Sequence, residues 1–326
     1  MKRIICFFLV MAISLSINAV PAAAQTEDYP NRTVRLIAPS SPGGGIDFVA
    51  RVIAPRLSEI WKQQVLVENR PGGGGMIGTD IVAKASPDGY TFEIVTSDFA
   101  ATPFLHEKIP YKTPDDFAPI TIIGEAPLVL VAHPSVKIKT LKELIAAAKE
   151  RPDEITYASA GVTTSGNLAM LLVQSMAGIK MLHVPYKGAG AANTAAVSGE
   201  VQFLLTSSGA LLPHIRSGRV RPIAVTSGKR VSVLPDVPTL AESGLPGFDF
   251  SIWFGLLAPA KTPKSVIDKI HAGVVEALKV EGLATQLKNA GYELGGLEPA
   301  KFSSKIRDDM KRLQKVINDA GIKPES

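Results

Sequence analysis

The 326-residue chain has one cysteine, Cys6, and it lies inside an apolar N-terminal leader. Loss of that leader leaves no disulfide, no thiolate nucleophile and no zinc–thiolate site. Charge of one sign is not in excess either. Setting aside Lys2 and Arg3 leaves 33 basic against 30 acidic residues, a net charge of +3 that is too mild and too dispersed for a nucleic-acid partner. The histidines, His106, His133, His183, His214 and His271, are scattered without metal-ligand spacing, and no G-x-S-x-G elbow precedes a helix. No metal or cofactor is therefore expected, and a secreted hydrolase is kept only as the alternative to a protein that performs no chemistry. No tandem repeat or low-complexity tract occurs, and after residue 24 no uncharged apolar run is long enough to span a bilayer.

What is present at the N-terminus reads as an export signal. Lys2 and Arg3 form a short positive region, Ile4 to Val20 is almost wholly apolar, and Ala22-Ala23-Ala24 before Gln25 supplies small residues for cleavage near Ala24/Gln25. A membrane anchor is the rival reading, but the run is short and is interrupted by Ser14, Ser16 and Asn18. The mature chain of 302 residues is expected in the periplasm. That length suits two domains, with enough buried surface to hold without disulfides.

Strand-like runs alternate with helical ones almost throughout, the pattern of an α/β architecture with a mainly parallel sheet. Val34–Ala38, Gln64–Glu68, Tyr90–Thr96, Ile155–Ala158, Val201–Thr206 and Arg221–Thr226 are predicted strands. Thr140 and Glu143 form a capping box, and Thr262-Pro263 places a cap and a first-turn proline before Val266, Ile267, Ile270, Val274 and Leu278. Phe302, Ile306, Met310, Leu313 and Ile317 recur at helical spacing until Gly321. Two apolar, extended segments, Ala118–His133 and Phe248–Ala260, are broken by Pro or Gly. They read either as strands that leave one lobe and enter the other or as ordinary buried strands of one sheet. If they cross, one lobe comprises residues 29–125 plus 250–326 and the other 126–249.

Two loops could hold an anion. The strand ending at Ala38 runs through Ser40-Ser41-Pro42-Gly43-Gly44-Gly45 into a helix opening Ile46-Asp47. Glycines let a ligand approach bare N–H groups, and the helix start points more of them at the same place. Ser159-Ala160-Gly161-Val162-Thr163-Thr164-Ser165-Gly166 repeats the design before a helix carrying Leu168, Leu171 and Leu172. Glycine-rich turns and simple Ser/Thr capping explain the same residues without a ligand. A third cluster, Gly73-Gly74-Gly75-Met76-Ile77-Gly78, satisfies G-x-G-x-x-G, but four residues separate it from its strand, so a dinucleotide site is set aside.

Six ordered motifs now complete the reading: Pro42-Gly43-Gly44-Gly45-Ile46-Asp47, Asn69-Arg70-Pro71-Gly72, Ala85-Ser86-Pro87-Asp88-Gly89-Tyr90, His183-Val184-Pro185-Tyr186-Lys187-Gly188, Leu234-Pro235-Asp236-Val237-Pro238-Thr239 and Trp253-Phe254-Gly255-Leu256-Leu257-Ala258-Pro259. Together they resemble the Bug family, the substrate-binding receptors of tripartite tricarboxylate transporters. The resemblance implies a type II periplasmic binding-protein fold, two α/β lobes joined by two crossing strands. It implies a small organic carboxylate gripped by backbone amides, hydroxyls and water, without a fixed salt bridge. The integral membrane subunits of such a transporter, or a membrane sensor using the same binding chemistry, would be the partner, and the chain is expected to act as a monomer. The implied contacts are Ser41, Gly43, Gly44 and Asp47 on one lobe and Ser159, Gly161, Thr163 and Thr164 on the other, with Asn167, Ser97 and Thr206 as further candidates. Ser40, Thr163, Asn167, Phe99, Thr102 and Ala195 depart from the family's usual residues, and the departures bear on the ligand rather than the fold.

Overall fold

The structure is a computed structural model that describes residues 29–186, 188–319 and 321–324. The leader, its cleavage site and Lys187 lie outside the described residues. The first part of the chain forms β1 (Val34–Ala38), α1 (Gly45–Trp61), β2 (Val65–Asn69), α2 (Met76–Ala83), β3 (Thr91–Thr96), α3 (Asp98–Leu105) and the long β4 (Phe117–Ala132). Then come α4 (Leu141–Glu150), β5 (Thr156–Ser159), α5 (Ser165–Ala177), β6 (Leu182–Pro185), α6 (Ala189–Ser198), β7 (Phe203–Ser207), α7 (Ser208–Arg216) and β8 (Arg221–Val225). The chain closes with β9 (Ser251–Pro259), α8 (Lys264–Lys279), α9 (Glu281–Asn289), β10 (Glu293–Leu294) and α10 (Pro299–Asp319).

Each strand expected from the sequence occurs within two residues of its predicted limits, but the sheet is mixed rather than mainly parallel. β1 pairs in parallel with β2 and β3, and β5 with β6 and β7. The two segments suspected of crossing run antiparallel to their neighbours, because they carry the chain back between the halves. Phe117–Pro127 of β4 pairs with β9, and Leu128–Ala132 pairs with β7 and β8. β9 starts only at Ser251, since Phe248 N–H closes a turn onto Leu245 O and the Phe250 N–H bonds to Thr226 O.

The start of α4 carries the expected capping box, and the start of α8 lacks the expected cap. The Glu143 amide donates to Thr140 Oγ1 at 3.2 Å, and Glu143 Oε2 reaches back to the Lys139 amide at 2.6 Å. Thr262 does not cap α8. Pro263 keeps an extended backbone (φ −55°, ψ 140°) and takes the cap position itself, so the helix begins at Lys264, and among the described residues the buried Thr262 Oγ1 has no partner.

Helices cover both faces of each half, which is why the inner strands are apolar on both sides. In the first half, Val49, Ile53 and Leu57 of α1 pack with Ile270 and Val274 of α8 against one face, while Val82, Phe99, Phe302 and Ile306 cover the other. In the second, α4 and α5 lie on one face and Ala192, Ala196 and Leu211 on the other. α10 joins both halves: Phe302 and Ile306 belong to the first, Leu313 and Ile317 to a core shared with α4, α5 and Ala100, Ala101 and Leu105 of α3. Trp253 of β9 fixes it, stacking edge-on against Phe302 at 5.0 Å and donating its indole N–H to Asp309 Oδ2 at 2.8 Å.

Gly255, at the centre of β9, leaves room for that contact. A Cβ there would lie 2.3 Å from Phe302 Cζ. Gly255→Ala should therefore overpack the site and cost about 1–3 kcal/mol. Urea unfolding should show a lower midpoint with an unchanged slope, and Phe302→Leu should restore part of the loss in the double variant. An unshifted midpoint would mean that the Phe302 ring moves aside freely.

Candidate ligand cleft

The first helix start is held by a buried carboxylate. Gly43 has φ +86°, a conformation that favours glycine, and this turns its N–H onto Asp47 Oδ2 at 2.9 Å. Asp47 Oδ1 accepts from Arg51 Nε and Asn69 Nδ2, each at 2.9 Å, and Asn69 Nδ2 also holds Ser40 O at 3.1 Å. Burial pushes the Asp47 pKa up, but the bonds from Arg51, the Gly43 amide and Asn69 outweigh it and hold the group below its ordinary value. Asp47 is 5% exposed, so it braces the loop from behind. Gly44 differs from Gly43. Its backbone is extended (φ −84°), and an added Cβ would meet only Ser41 O at 3.7 Å, so neither conformation nor packing requires glycine there. The α1 amides at Gly45, Ile46 and Asp47 precede the first intrahelical bond, Phe48 N–H to Gly44 O, and are without helical partners.

The second helix start is largely self-satisfied. Ser159 is buried, with its hydroxyl 2.7 Å from His183 Nε2 and donating to Gly161 O at 2.9 Å. His183 stacks on Tyr157 at 4.9 Å. Thr164 stands at the cap position of α5 but makes no capping bond; its hydroxyl donates to Gly161 O at 2.8 Å. Asn167 is buried between Val162 O, to which it donates at 2.7 Å, and the Tyr157 hydroxyl, which donates to it at 2.8 Å. Thr163 is half-buried in the loop, and Thr206 is half-buried on β7 opposite Val129.

Between these loops lies a cavity of about 380 Å³. Ser41 and Ile46 reach it from the first loop, Ala160 and Thr164 from the second. A hollow of about 470 Å³ beside Trp61 and Gly273 is larger, but it lies on the flank of α1 and α8 with no helix start converging on it. Of the expected contacts, Ser41 and Thr164 line the cavity; Gly43, Asp47, Ser159, Gly161 and Asn167 shape the loops, and Ser97 is buried with its hydroxyl 3.3 Å from Ser165 Oγ. Three wall elements were not anticipated. Gly72, Gly74 and Gly75, set aside as a false dinucleotide motif, form part of the wall. So do Thr79 and Tyr111. Asp98, the first residue of α3, lines it as well and is half-buried. An acid directly after a strand's C-terminal end is a readable signal, because ligands of α/β folds gather at those ends.

The two halves touch at the cavity rim. Ser165 Oγ, at the start of α5, donates to Asp98 Oδ1. Gly209 of α7 packs on the turn after α9, where an added Cβ would sit 2.2 Å from Ala290 O. A two-lobed α/β architecture with a cavity at the strand ends, crossed by β4 and β9, is that of a type II periplasmic solute-binding protein. The family model of the tripartite tricarboxylate transporter family receptor matches residues 49–322, and the chain belongs to that family. It is 35% identical over 316 residues to the protein BugT of Bordetella pertussis, covering 96% of this chain and 97% of that one. Among solved structures, R. palustris Rpa4515 with adipate superposes with a TM-score of 0.84 at 34% identity, covering 91% of this chain and 100% of that one. MatC (Rpa3494) from Rhodopseudomonas palustris with bound malate gives a TM-score of 0.80 at 30% identity, covering 89% and 100%. Receptors of this family are periplasmic binding proteins, and the chain is a receptor rather than an enzyme. Among the described residues no helix is long and apolar enough to cross a membrane.

Below the cavity, Glu93 on β3 is fully buried. Thr79 Oγ1 donates to its Oε2 at 3.0 Å, while among the described residues Oε1 has no partner. Burial pushes its pKa up to about 8, opposed only by the Thr79 bond. A carboxyl raised in this way keeps a proton that the unfolded chain releases above its ordinary value of 4.5. Its stabilising contribution is therefore complete below pH 4.5 and lost as pH rises to about 8. Melting curves across that window should fall with pH in the parent protein and fall less steeply in Glu93→Gln. Equal slopes would assign the pH dependence to other groups.

Proposed function

We propose that the chain captures a small organic carboxylate in this cavity and delivers it to the membrane subunits of a tripartite tricarboxylate-type transporter. The observation that carries this reading is the start of α1: amides that have no helical partner among the described residues, beside a Gly44 that neither conformation nor packing requires, with Ser41 and Ile46 of the same segment lining the cavity. The adipate and malate held by the two similar structures fit the same chemistry. In this proposal Ser41, Gly44 and Thr164 contact the ligand, and Gly43, Asp47, Ser159, Gly161, Thr163, Asn167, Ser97 and Thr206 position the two loops. Residues 29–125 and 250–326 form one lobe and 126–249 the other, with α10 seated on both. The leader is removed near Ala24/Gln25, which N-terminal sequencing of the exported protein would check.

Thermal-shift screening of small carboxylates should find a ligand, because a molecule that binds only the folded state raises its apparent stability. With that ligand, Gly44→Val should abolish binding measured by calorimetry while leaving the ligand-free melting point close to that of the parent. Gly43→Val should instead destabilise the protein by about 1–2 kcal/mol, since valine is strained at positive φ. Intact affinity in folded Gly44→Val would remove this loop from the site.

Ligand held from both sides should favour the closed arrangement. Gly209→Ala overpacks the approach of the two halves, so it should weaken binding by roughly tenfold or more. Unchanged affinity would show that closure does not require the Gly209–Ala290 approach.

A further inference from the structure

Asp98 lines the cavity together with Phe99 and Thr102, while Ala100 beside them is buried in the core. Its hydrogen-bond partners are all neutral: Ser165 Oγ donates to Oδ1, and the Ser165 amide and the Thr96 hydroxyl approach the same carboxylate. Asp98 thus already occupies the N-terminus of α5, the place where a helix would otherwise favour a ligand anion. Among the described residues no lysine, arginine or histidine lines the cavity to offset that negative charge. The start of α1 contrasts with it. Its acid, Asp47, is turned away and paired with Arg51, so one carboxylate of a ligand meets free amides there without a like charge. A second carboxylate brought against Asp98 would meet both a like charge and an amide already in use, which is discrimination by repulsion.

Resting on the carboxylate-receptor reading, we propose that Asp98 sets the ligand class: the bound molecule is a carboxylate whose opposite end is a protonated amine, and Asp98 accepts its N–H groups as counter-ion. Burial works against the charge on Asp98, with the bonds from Ser165 and Thr96 opposing it, and a cation in the cavity relieves that cost. The ligand preference therefore departs from the dicarboxylates of the two similar structures at one identifiable residue.

Calorimetry on the whole mature protein should compare matched pairs, ε-aminocaproate against adipate and γ-aminobutyrate against succinate. The amino compound should bind tighter by roughly tenfold or more, and Asp98→Asn should erase or reverse that ratio. Ser165→Ala serves as the control. It removes one hydroxyl contact between the halves but keeps the carboxylate and the Ser165 amide, so it should weaken both members of a pair while preserving their ratio. Dicarboxylates that bind the parent as tightly as their amino partners would overturn the proposal and leave the receptor reading standing. So would an Asp98→Asn variant that behaves like Ser165→Ala, since Asp98 would then act only as a latch. If no carboxylate of either kind binds, both readings fall together.

Discussion

Phe117–Ala132, the 16 residues of β4, commits its backbone hydrogen bonds to two different sets of strands, and the position of everything else follows from that division. At about 3.3 Å per residue the strand is roughly 50 Å long, enough to belong to both halves. Its first eleven residues are paired with β9 and its last five with β7 and β8, so neither half can slide along it without breaking a ladder. The handover falls at Pro127 and Leu128, and a proline has no N–H to lend to a ladder. Ser251, the partner of Pro127, is where β9 begins.

Three acids near the cavity show how burial and partners divide one chemical group into three roles. Asp47 has an arginine, an amide and an asparagine on it, stays ionised and organises the loop. Glu93 has one hydroxyl, no cation, and is pushed towards the neutral form. Asp98 lies between them, raised by burial but supported by neutral donors, and is the one of the three that lines the cavity. The side chains differ only by a methylene; the environments supplied by β1, β3 and α5 make the difference.

Much of this architecture was legible in the residues. Strand limits followed from apolar runs bounded by Pro and Gly, and glycines and hydroxyls clustered between a strand end and a helix start located both loops. The roles inside those loops were not legible. Nothing in the spacing of Asp47, Arg51 and Asn69 shows that Asn69 folds back from β2 to close the network, since that contact depends on the register of β1 and β2. Thr164 carried the right residue type at the right place for a cap, yet its hydroxyl turned to Gly161 O instead. Asp98 was overlooked for a related reason. A lone acid at a helix start has an ordinary explanation in the helix dipole, and only tertiary structure reveals that the helix it serves includes one from the opposite half.

The seating of α10 bears on the order in which the molecule can be completed. Leu313 and Ile317 fill a core whose other members, Leu141, Leu144, Leu168 and Val173, are made some 150 residues earlier. Synthesis runs from the N-terminus, so the second half waits with an open apolar face until nearly the whole chain exists. A chain that finishes its core last keeps that half unsealed until synthesis is almost over.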